Sequence, residues 1–140
     1  MLEDHCGMLI KKINDALSKD ANNRLKNENL TTTQIGMLMI LSEKGDGSLS
    51  MKELEKELHV AQPTVVGIVS RLEQKGYVCS FGDPNDKRIK IVQITENGRK
   101  QCENAYSVME DTERMLMSGM TSDERKQLIR LLNKVYFNLE

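Results

Sequence analysis

The densest cluster of chemically useful side chains lies at Asp83-Pro84-Asn85-Asp86-Lys87-Arg88, a run of turn formers ending in charge. Asp86 and Arg88 are two residues apart. In a tight loop the carboxylate can hold the guanidinium extended, which spares the arginine some ordering entropy on binding. Such an arginine suits a narrow DNA minor groove, where the negative potential is enhanced. Lys87 and Lys90 add charge beside it. Upstream, Gln62, Pro63, Thr64, Ser70 and Arg71 fall on one segment that ends at Lys75. Glutamine pairs with adenine N6/N7, serine and threonine reach bases or phosphates, and arginine suits guanine or phosphate. These residue types point to double-stranded DNA as the partner.

Other chemistries are poorly represented. The chain holds no phosphate-cradling glycine loop, nucleophile motif or metal-ligand cluster, so no catalytic residue, metal or cofactor is expected. His5 and His59 are isolated, and a zinc site built from His5, Cys6 and His59 is a remote reading. Cys6, Cys79 and Cys102 are odd in number and lack C-x-x-C spacing, so they read as free thiols of a reducing, cytoplasmic compartment. Cys6 is the one candidate redox residue, although neighbouring Glu3 and Asp4 disfavour a reactive thiolate. No apolar run approaches membrane-spanning length, and acids stand where a signal peptide carries bases.

The elements that must position these residues are marked by their starts. Thr31 with Gln34, Ser50 with Glu53, and Thr121 with Glu124 are capping boxes, the first two flanked by the apolar pairs Leu30/Ile35 and Leu49/Leu54. Thr95 is a fourth N-cap. A first helix is expected from about Leu2 to Lys26, with Met8, Leu9, Ile13 and Leu17 on one face. A second follows Thr31, carrying Ile35, Leu38 and Leu41 to the Gly45-Asp46-Gly47 turn, and a short third follows Ser50. The fourth runs from about Gln62 to Lys75. Its Val65, Ile68, Val69 and Leu72 recur at i, i+3, i+4 and i+7 as a buried stripe, and Gly76 provides the stop. The period then changes, and 77–81 and 89–94 read as the two strands of a hairpin. Helices from Thr95 to about Met117 and from Thr121 to about Leu139 close the chain.

The third helix, the Leu58–Ala61 turn and the fourth helix make a helix-turn-helix, with the hairpin as a wing. Alone, the outer face of the fourth helix reads as ordinary solvated surface; followed by a basic-tipped hairpin, it reads as an interface. Net charge is only −1, but residues 51–100 carry 9 bases and 7 acids, the one basic third. Nine methionines and no tryptophan imply an aliphatic core with methionine filling irregular gaps.

The runs Leu30-Thr31-Thr32-Thr33-Gln34, Pro63-Thr64-Val65, Leu72-Glu73-Gln74-Lys75-Gly76-Tyr77-Val78, Asp83–Arg88 and Ile94-Thr95-Glu96-Asn97-Gly98-Arg99 closely resemble the MarR family of bacterial transcriptional regulators. The resemblance implies a mainly α winged helix-turn-helix of six helices with a small β-hairpin wing, dimerising through its first and last helices. The whole of 1–140 is then a single winged-helix unit, in which 30–94 is the DNA-binding lobe, 77–94 the wing, and 1–29 and 95–140 the dimerisation helices. The apolar excess at Met115, Leu116, Met117 and Met120, then Leu128, Leu131, Leu132, Val135 and Tyr136, fits that role. It also implies a repressor that binds pseudo-palindromic operators as a homodimer and responds to a small-molecule effector. Two positions depart from the family: Gly67 and Ser80 stand where many members carry a base. Phosphate affinity then rests on Arg71, Lys75, Lys87, Arg88 and Lys90. The alternatives are a winged-helix protein–protein interaction module and a thiol-based redox regulator using Cys6; for the latter, the first helix lacks the tyrosines of the hydroperoxide-responsive branch.

Overall fold

Side-chain caps set where the helices begin. The Thr31 hydroxyl accepts from the Gln34 amide at 3.2 Å while Gln34 Oε1 accepts from the Thr31 amide at 3.2 Å, and α2 (Thr32–Ser42) follows. Ser50 and Glu53 repeat the exchange ahead of α3 (Met51–Leu58), as do Thr121 and Glu124 ahead of α6 (Ser122–Phe137). Each cap stabilises its helix start by about 1 kcal/mol. Thr95 opens α5 (Glu96–Leu116): its hydroxyl accepts from the Gly98 amide at 3.1 Å and donates to the Gly76 carbonyl at 2.6 Å.

The structure, a computed structural model, describes residues 1–25 and 30–140. The first helix differs from the expected single run. Leu2–Asp4 form a 3₁₀ turn, His5 is extended at φ −85°, ψ 126°, and α1 occupies Cys6–Leu25. The expected end at Lys26 lies outside the described residues. Met8 and Leu17 are half-buried, but Leu9 and Ile13 on the same face remain about half exposed.

Helix α4 (Gln62–Gln74) buries Val65, Ile68, Val69 and Leu72, the stripe that its spacing predicts. It ends in a Schellman motif. The Gly76 amide donates to the Glu73 carbonyl and the Tyr77 amide to the Leu72 carbonyl, both at 3.0 Å. This geometry puts Gly76 at φ +78°, where a Cβ would be strained.

The sheet has one strand more than the expected hairpin. β2 (Val78–Gly82) and β3 (Lys90–Ile94) pair antiparallel, and β1 (Ser48–Ser50) joins the other edge of β3, giving the order β1-β3-β2. Three residues carry no readable alternation, and the last of them is also the N-cap of α3, so β1 is invisible to periodicity. It is anchored beyond its own length: the Ile94 amide donates to Gly47 O at 2.9 Å and Gln93 Nε2 to Asp46 O at 3.0 Å.

One apolar cluster takes Ile35, Leu38 and Leu41 from α2, Leu54 from α3, the α4 stripe, and Val78, Val92 and Ile94 from the sheet. Cys102 and Ala105 of α5 join it. Backbone contacts group Met1–Tyr106 as one unit and Ser107–Glu140 as a second. In the second, Ile129, Leu132, Tyr136 and Leu139 recur at helical spacing and are exposed. Among the described residues no helix is long and apolar enough to cross a membrane.

Candidate nucleic-acid interface

The helix-turn-helix is closed by an unusual residue. His59 caps α3 in the left-handed region at φ 55°, ψ 42°, and its amide and that of Val60 both return to the Glu55 carbonyl. The chain then enters α4 through Ala61, which offers no side-chain cap, and Pro63 removes a further amide donor. Gln62, Pro63, Thr64, Ser70 and Arg71 are all exposed, away from the buried stripe. Lys75 differs. It is half-buried at the end of the helix, and its Nζ donates to Gln34 Oε1 at 3.3 Å.

The hairpin tip is built from two successive turns. Asp86 N–H donates to Asp83 O at 3.2 Å across Pro84-Asn85, and Ile89 N–H donates to Asp86 O at 2.9 Å across Lys87-Arg88. Each turn is fixed by its leading aspartate. The Asp83 carboxylate accepts from the Asn85 amide at 2.7 Å, and that of Asp86 accepts from the Arg88 amide at 3.1 Å. Asp86 also grips the Arg88 side chain with both oxygens, Oδ1 to Nε at 2.9 Å and Oδ2 to Nη2 at 3.0 Å. The Asp86 side chain is 34% exposed and that of Arg88 90%, so the carboxylate is a platform and the guanidinium projects from it. The Arg88 hydrogen bonds hold the Asp86 carboxyl below the usual carboxylate range. Nη1 remains directed away from the clamp, able to donate to an incoming acceptor. Lys87 and Lys90 are exposed beside it.

A cavity of about 640 Å³ opens within the first unit, lined by Ser18 and Asn22 of α1, Thr32 and Gln34 of α2, and Arg71 and Lys75 of α4. Its lining is mixed, and Arg71 and Lys75 are its two cations. The cysteines are dispersed: Cys6 is exposed at the first residue of α1 beside His5, whose Nδ1 donates to Met1 O at 3.0 Å. Cys79 is exposed on β2, and Cys102 is buried, which pushes its thiol pKa up. His59 sits in the turn before α4. Among the described residues no three His, Cys, Asp or Glu side chains form a metal-holding group.

A model of the MarR family matches residues 30–90, from just ahead of α2 to the first residue of β3. The multiple antibiotic resistance protein MarR of Salmonella typhimurium is 32% identical over 130 residues, 92% of this chain and 89% of that protein. The chain belongs to the MarR family. An uncharacterized HTH-type transcriptional regulator of Bacillus subtilis, YwaE, is 32% identical over 93 residues, 66% of this chain. That match spans about half of the relative, 54% of its length. The crystal structure of a cysteine-to-serine mutant of MarR from E. coli, complexed with operator DNA, superposes with a TM-score of 0.82. It is 31% identical and the superposition covers 92% of this chain and 91% of that one.

Within the MarR fold, the two positions that lack a base have different structural surroundings. A Cβ at Gly67 would meet nothing within 4 Å, so that site is simply open. At Ser80 the hydroxyl donates to the Glu73 carboxylate, tying the first wing strand to α4. The sequence reads Ser80 only as a missing charge, because Glu73 lies on another element. The Gln34–Lys75 bond escapes it for the same reason: Gln34 is legible as a cap, while its second partner is 41 residues away.

Proposed function

We propose that this MarR-family chain is a ligand-responsive repressor of the cytoplasm that binds pseudo-palindromic operators as a homodimer. In this reading α4 enters the major groove through Gln62, Pro63, Thr64 and Ser70, with Arg71 and Lys75 toward the phosphates. Asp86 orients Arg88 into the adjacent minor groove, and Lys87 and Lys90 contact the backbone. The observation that carries it is the Asp86–Arg88 clamp, which displays a pre-ordered guanidinium at the wing tip. The operator complex of the MarR relative supports duplex DNA as the partner. A second copy would cover the exposed apolar residues of α1 and those of α5 and α6, setting the two recognition helices about 34–36 Å apart. A small anionic effector suits the cavity beside Arg71 and Lys75, where it would compete with phosphate for the same cations. No catalytic residue is assigned.

The test is binding to duplex DNA from the regulator's own upstream region across a salt series. Affinity should fall linearly on a log–log plot, with a slope near −0.9 per phosphate neutralised. Arg88→Ala should weaken binding about ten- to a hundredfold while helical content and dimer mass stay unchanged. An unchanged affinity would remove the wing from the interface. No binding at low salt would favour a protein–protein interaction module.

A further inference from the structure

The outer face of α4 holds one apolar side chain that the contacts assigned above leave unused. Val66 is 45% exposed, the single large apolar side chain that α4 turns to solvent. It stands four residues after Gln62 and four before Ser70, so the three form one row along the helix. On the Gly67 side the surface beside it is open. Gly67 has no side chain, and a Cβ there would touch nothing within 4 Å.

We infer that Val66 is a specificity-determining residue that reads the C5-methyl of a thymine in each operator half-site. The inference rests on the placement of α4 in the major groove and names what the centre of that helix recognises. In the major groove the base edges present donors, acceptors and one apolar group, the thymine methyl. An apolar side chain between an amide and a hydroxyl therefore matches a thymine flanked by polar contacts. The side chain is also suited to the task. A β-branched residue in a helix is held in one main χ1 rotamer, so its methyls are in place before binding. Helical Cβ atoms tilt toward the N-terminus, which directs Val66 to the half of α4 that meets base edges. Four residues rise about 6 Å along the axis. At roughly 3.4 Å per base step, the thymine lies about two steps from the base read by Gln62.

The experiment removes the methyl from the DNA and its partner from the protein. Duplexes are selected by the full-length protein from a random 30-bp library, and each thymine of the best duplex is replaced in turn by deoxyuridine. Affinities are measured by fluorescence anisotropy for the wild type and for Val66→Ala; because Val66 is exposed, circular dichroism and dimer mass should match. At one thymine per half-site, uracil should weaken the wild type roughly fourfold, on the scale of one buried methyl group. Val66→Ala should be insensitive there and respond as the wild type does at every other thymine. Uracil penalties identical in the two proteins would overturn the thymine contact and leave α4 in the groove. Failure to enrich any duplex over random DNA at low salt would overturn the groove placement, and the contact with it.

Discussion

At the wing tip, Asp86 carries a negative charge that in isolation would repel DNA. Its place is explained by geometry, since both its oxygens and the Arg88 amide and guanidinium close one ring of hydrogen bonds. The clamp also has a defined pH range. Asp86 has a depressed pKa in the folded protein, so its contribution is complete above the unfolded carboxylate value, about 3.9, and is lost as pH falls through the lower folded one. Arg88 stays charged throughout. Between pH 5.5 and 8, Asp86→Asn should therefore bind DNA more weakly than the wild type by a constant factor at fixed ionic strength. A ratio that changes across that window would show that another group controls the wing. The Arg88 Nε–H resonance should likewise hold its shift to below pH 5; a titration near pH 6 would contradict the clamp.

Among the elements, α4 and α5 each carry a glycine for opposite reasons. A Cβ on Gly98 would lie 2.2 Å from the Tyr77 carbonyl oxygen and 2.7 Å from Ile94 Cγ1, because α5 begins directly against the end of the recognition helix. A Cβ on Gly67 meets open space. Gly98→Ala should destabilise by about 1–3 kcal/mol, since a backbone carbonyl cannot rotate aside. Gly67→Ala should stabilise by up to about 1 kcal/mol through helix propensity. Urea denaturation of both variants checks the pair, and a Gly98→Ala protein as stable as the wild type would disprove the close approach. The same contrast shows what the sequence exposes. The boxes at Thr31, Ser50 and Thr121 and the α4 stripe are written in local spacing, and the helices start where those signals place them. β1 is three residues long and owes its existence to pairing with β3, more than 40 residues away. The Ser80–Glu73 and Gln34–Lys75 bonds are also products of packing, which spacing along the chain does not encode.

For the whole molecule, the apolar residues without cover are the informative ones. On α6, Ile129, Leu132 and Tyr136 are 44–53% exposed, Leu139 just beyond its end is 83% exposed, and on α1 Leu9 and Ile13 are 48% and 51% exposed. Exposed apolar surface on an element marks an association site, and in the homodimer proposed above a second copy would cover each of these helices. Leu132→Asp should convert the protein from dimer to monomer by light scattering while preserving its helical circular dichroism. It should also abolish tight operator binding, because one lobe then reads a half-site alone. A dimer that survives the substitution would place the interface elsewhere.

The division of α4 into a buried stripe and an outer row has an evolutionary consequence. Val65, Ile68, Val69 and Leu72 hold the helix in the core, while Gln62, Val66, Gly67 and Ser70 have no share in it. With the groove contacts proposed above, substitutions in the outer row would change which sequence is recognised and leave folding intact. On that reading a duplicated gene would acquire a separate set of targets in a few steps, each passing through a stable protein.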